Sequence, residues 1–65
     1  MNTDDVSKFP IWVYYVGGPF DLTREKWIKR PPSDVVTETS LYYVTRIPRE
    51  MEHGTIFIAF YVKEV

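Results

Sequence analysis

Thr55-Ile56-Phe57-Ile58-Ala59-Phe60-Tyr61-Val62-Lys63 is the stretch on which the fold turns. Residues 56–62 are seven uncharged, β-branched, aromatic or small side chains in a row. That composition suits a pleated strand, and the run falls far short of the roughly 20 apolar residues a membrane-spanning helix requires. A strand with one solvated face alternates apolar and polar residues. This one does not, so both of its faces need cover.

Working upstream, residues 48–54 contain Pro48 and Gly54 and read as a turn, and residues 35–47 read as a strand. That strand is polar at Thr37, Glu38, Thr39 and Ser40, then apolar at Leu41, Tyr42, Tyr43 and Val44. An antiparallel hairpin closed by Ile47 and Thr55 would place Tyr42 opposite Phe60 and Val44 opposite Ile58 on one face. Leu41 would lie opposite Tyr61, Tyr43 opposite Ala59, and Thr45 opposite Phe57 on the other. Neither face is polar in this register, and an odd shift would remix the faces without making either polar.

Further upstream, residues 10–16 (Pro-Ile-Trp-Val-Tyr-Tyr-Val) form a first strand halted by Gly17-Gly18-Pro19. Residues 21–30 are the helix candidate, with Thr23 as N-cap and Asp21 as the competing cap, Glu25 in the first turn, and Lys29 and Arg30 in the last turn before Pro31-Pro32. Leu22 and Trp27 would form its hydrophobic staple. The expected fold is α+β, a three-stranded and mainly antiparallel sheet with one short helix in the order β-α-β-β. Residues 1–8 are expected to be a flexible tail, and residues 9–65 a single domain.

Composition narrows the function. A 65-residue chain hides only ~60% of its unfolded surface, and short chains usually add disulfides, a metal or a partner. With no cysteine and one histidine, the first two routes are closed, which leaves eleven aromatic residues and a partner. Eight basic against nine acidic residues give a net charge of −1, so no global field attracts nucleic acid or anionic membranes. The amino terminus holds Asp4 and Asp5 and no apolar signal region, and a cytoplasmic protein is expected, in the source cell or in an infected host. Glu50-x-x-His53 offers two metal ligands without a second cluster, and one histidine assembles no nucleophile relay. No catalytic residue, metal or cofactor is expected.

A helix of ten residues spans about 15 Å and covers one sheet face. The other face could be covered by Val6 and Phe9 of the tail, or by a partner. Tyr, Phe and Trp are enriched at interface cores. The expected anchors are therefore Leu41, Tyr43, Phe57 and Tyr61, joined by Trp12 and Tyr14 if the even positions of the first strand point outward. Arg24, Lys29 and Arg30 would steer the partner. The expected function is non-enzymatic protein binding, to a target protein or to a second copy in a homodimer. In style the chain resembles the small inhibitors that bacteriophages encode against host or defence proteins.

Two alternatives come from the first thirty residues. Arg24, Lys26, Lys29 and Arg30 around Trp27 could track a single-stranded nucleic acid, although Asp21 and Glu25 dilute that charge. Trp12-Val13-Tyr14, Gly18-Pro19-Phe20 and Trp27 resemble the opening of a GYF domain. That resemblance implies an adaptor for proline-rich peptides with Tyr14, Phe20 and Trp27 as groove residues. The similarity covers residues 12–27, with a shorter loop after the tyrosine and no G-Y-F in residues 28–33.

Overall fold

The computed structural model describes residues 9–65. The expected tail, residues 1–8, lies outside the described residues, as does Val6. The described chain is almost wholly β, and the expected three-stranded sheet with a helix is not what forms. Six strands make one mixed sheet: β1 (Ile11–Val16), β2 (Arg24–Trp27), β3 (Asp34–Val36), β4 (Ser40–Val44), β5 (Arg49–Met51) and β6 (Gly54–Glu64). The order is β2-β1-β6-β4-β3, with β5 also on β6.

The expected helix is β2 and the turn leading into it. Gly17 and Gly18 adopt positive φ, which reverses the chain, and Gly18–Phe20 forms one 3-10 turn. The Asp21 carboxylate accepts the Gly17 N–H at 2.7 Å. Thr23, expected as an N-cap, instead donates its hydroxyl to the Phe20 carbonyl at 2.5 Å. Leu22 N–H then donates to Tyr15 O at 3.0 Å and Tyr15 N–H to Thr23 O at 2.9 Å, laying the chain antiparallel along β1. Four register pairs follow, from Tyr14↔Arg24 to Ile11↔Trp27. A short helix with a thin apolar face is marginal by itself, and the open edge of β1 offers the same backbone a ladder.

β6 is the spine. Its residues 55–60 pair in parallel with β1, from Ile11↔Thr55 to Val16↔Phe60. Its other edge is shared, β5 taking residues 54–56 and β4 taking residues 59–64. The expected pairing of residues 41–44 with the last strand is present in a different register, Tyr42↔Tyr61 and Val44↔Ala59, with a bulge between Leu41 and Tyr42. The shift is odd there, so the expected faces are remixed.

Ile11, Val13, Tyr15, Tyr42, Val44, Phe57 and Ala59 share the inner face and are buried. Trp27 on one edge strand and Val35 on the other both pack on this cluster, so the sheet curls around its own core. The curl does the covering that the sequence reading gave to a helix. Phe9 remains exposed. An aromatic knot closes one end of the core: Tyr42 meets Tyr15 edge-on at 4.9 Å and Tyr61 at 5.7 Å, and Phe20 stacks on it at 6.1 Å. The buried Tyr42 hydroxyl donates to Gly17 O at 2.8 Å and accepts Phe20 N–H at 3.0 Å, pinning the 3-10 turn to the core.

Candidate binding face

The outer face follows from strand alternation. Trp12 and Tyr14 stand opposite the buried Ile11, Val13 and Tyr15; Leu41 and Tyr43 alternate with Ser40, Tyr42 and Val44; Ile56 and Ile58 alternate with Thr55, Phe57 and Ala59. Register joins them into rows across the sheet. One row runs Lys26, Trp12, Ile56, Arg49, and a second runs Arg24, Tyr14, Ile58. A third runs Val16, Phe60, Tyr43, Asp34. Val16, Phe60 and Tyr43 are 43%, 45% and 41% exposed although they sit on the three central strands.

The cations of β2 lie over the first row. The Arg24 guanidinium is 4.7 Å from the centre of the Trp12 ring and the Lys26 ammonium 5.7 Å, while Arg24 also reaches the Tyr14 hydroxyl at 3.4 Å. Beside them Tyr14, Val16, Leu22, Arg24 and Ile58 line an open groove of about 420 Å³. Leu22 is 90% exposed at φ +66°, so the tip of the β1–β2 hairpin holds an apolar side chain over the groove's rim rather than in the expected staple.

Of the residues singled out from sequence, Trp12, Tyr14, Leu41, Tyr43 and Arg24 come together on this face. Phe57 does not: it is 1% exposed in the core and presents no surface. Tyr61 packs on Tyr42 and against Gly18, at the rim of the aromatic knot. Lys29 is exposed in the segment after β2. Arg30 lies elsewhere, its guanidinium donating to Arg46 O at 2.7 Å and standing 5.3 Å from the Phe57 ring, beside a cavity of about 620 Å³ walled by Pro31, Pro32, Thr45 and Ile47. The sequence reading missed Ile58, Phe60 and Val16. Period-2 alternation from a correct register would have found them.

On the inner side, Tyr15 donates its hydroxyl to the Glu25 carboxylate at 2.9 Å, and the Trp27 indole N–H donates to the same oxygen at 2.9 Å. Burial, and then the Glu25 carboxylate, push the Tyr15 phenol up from its ordinary value. This is a structural bracket between β1 and β2. Tyr14 therefore faces outward while Phe20 and Trp27 pack inward, so the three groove residues implied by the GYF resemblance do not line one groove. His53 is exposed in the β5–β6 turn. Among the described residues no group of three His, Cys, Asp or Glu side chains could hold a metal ion, and no helix is long and apolar enough to cross a membrane. No family model matches the chain, and no curated protein or solved structure matches it significantly.

Proposed function

We propose that this domain is a non-enzymatic protein-binding module that docks its partner on the outer face of the sheet. The observation carrying this reading is the row Val16, Phe60, Tyr43, apolar and open at the centre of the sheet, where strands are flanked on both sides. Trp12, Tyr14 and Ile58 extend it, and aromatic residues in such a position supply large contact area at low rotamer entropy. The nucleic-acid alternative draws less support, because Arg24 and Lys26 already occupy the Trp12 ring and Asp34 ends the Tyr43 row.

The test compares the wild-type domain with a Phe60→Ser, Tyr43→Ser variant in affinity capture from the source cell. Both residues point away from the core, so the unfolding midpoint should stay near the wild-type value. Binding of the retained protein should weaken by about 2 kcal/mol or more, roughly thirtyfold. Identical retention by the two proteins rejects this face as the docking site.

A further inference from the structure

The register sorts the charges of the sheet by sign. Arg24, Lys26, Arg49 and Lys63 pair with Tyr14, Trp12, Ile56 and Leu41, which are all outer-face positions, and the carboxylate on that side is Asp34, opposite Tyr43. Glu25, Glu50 and Glu64 pair with Val13, Thr55 and Ser40, which are all buried on the other side. Among the register-paired residues, the outer face thus carries four cations to one carboxylate, and the inner side three carboxylates and no cation. A chain with a net charge of −1 presents a basic frame around an apolar centre.

We infer that the outer face takes an acidic, amphipathic segment of a protein partner, with apolar side chains on Val16, Phe60 and Tyr43 and carboxylates meeting Arg24, Lys26, Arg49 and Lys63. The inference rests on the protein-binding reading and adds the chemistry of the ligand. Charge complementarity fixes the choice of occupant, since juxtaposed like charges are rejected while opposite ones speed and orient encounter. A second copy docked face to face would oppose four cations with four, which disfavours a symmetric dimer through this surface. A nucleic-acid strand would meet the cations, but Arg24 and Lys26 already lie over the Trp12 ring, and the Asp34 carboxylate at the end of the Phe60–Tyr43 row would repel a phosphate there.

Selection of displayed random peptides on the immobilised domain reads this chemistry directly. The retained sequences should be enriched in Asp and Glu interleaved with apolar residues. Synthetic versions should lose about tenfold or more in affinity as salt rises from about 0.1 M to about 1 M, over which the Debye length contracts from about 10 Å to about 3 Å. An Arg49→Glu, Lys63→Glu variant should lose them too while keeping its unfolding midpoint; both residues are exposed and neither touches the Trp12 stack. Equal enrichment of basic peptides, or affinity indifferent to salt and to charge reversal, overturns the acidic assignment and leaves a protein-binding face standing. Retention of no peptide overturns both, and binding of a fluorescent thymidine oligonucleotide would then identify phosphate as the ligand. A dimer seen by light scattering and abolished by Phe60→Ser overturns the assignment in favour of a second copy.

Discussion

Replacing Tyr42 by Phe removes one oxygen and keeps the ring. Its contacts with Tyr15, Phe20 and Tyr61 survive, so the loss is confined to the two hydrogen bonds that the hydroxyl makes with the 3-10 turn. Each such bond is worth about 1 kcal/mol net, and leaving a buried partner unsatisfied costs about 1–3 kcal/mol. Gly17 is half-buried and Phe20 exposed, so water can reach the abandoned carbonyl and amide after a small opening, which places the total near the low end, about 2 kcal/mol. For a domain of this size about 1 kcal/mol moves the midpoint by roughly 4–8 °C, so Tyr42→Phe should melt roughly 8–16 °C below wild type. Thermal and urea unfolding followed by circular dichroism measure this, with Tyr43→Phe as the control, expected within about 0.5 kcal/mol of wild type. A Tyr42→Phe midpoint within about 2 °C of wild type would refute the reasoning. If, in that case, amide exchange showed the Phe20 N–H newly unprotected, the clamp would hold the turn without contributing to global stability.

Other expectations follow from the same geometry. Phe57→Ala should cost about 3–5 kcal/mol and Phe60→Ala well under that, because only the first empties a core position; a reversed order in urea unfolding would invert the assignment of faces. Gly54→Ala should destabilise by about 2 kcal/mol or more, since Gly54 sits at φ +141° and a Cβ there would collide with the Pro10 carbonyl oxygen; an unchanged midpoint would contradict that close approach. The raised Tyr15 phenol means that the folded state holds this proton more tightly than the unfolded chain does. Its contribution is therefore complete below about pH 10 and lost as pH climbs beyond, so Tyr15→Phe should flatten the alkaline decline of the urea midpoint; parallel profiles for the two proteins would refute it.

The strands rich in β-branched and aromatic residues, β1, β4 and β6, were legible because their composition suits a pleated surface wherever they pair. What was illegible is what they pair with. The parallel contact of β1 with β6 joins residues more than forty positions apart, and no local signal encodes it. Residues 24–27 show the cost of reasoning locally. Arg24-Glu25-Lys26 is good helix composition, and on a helix Glu25 would dilute its neighbours' charge. On a strand the same three residues alternate, so Glu25 goes inward to Tyr15 while Arg24 and Lys26 go outward to Trp12. The candidate face was half legible for a related reason. Leu41 and Tyr43 do share a face, but a register wrong by an odd step put Phe57 and Tyr61 on that face in place of Ile58 and Phe60.

β6 pairs with β1, β4 and β5, so most of the ladder runs through one strand. It is also synthesised after every strand it joins. On the ribosome, then, β1 and its hairpin partner β2 emerge with their inner face bare, and two-stranded hairpins are marginal in water. Productive folding waits for residues 54–64 to clear the exit tunnel, and it then proceeds through contacts between distant parts of the chain, the slow kind. Until that moment Ile11, Val13, Tyr15, Tyr42 and Val44, all buried in the finished sheet, are open to any other nascent chain, which makes the interval before β6 appears a period of aggregation risk.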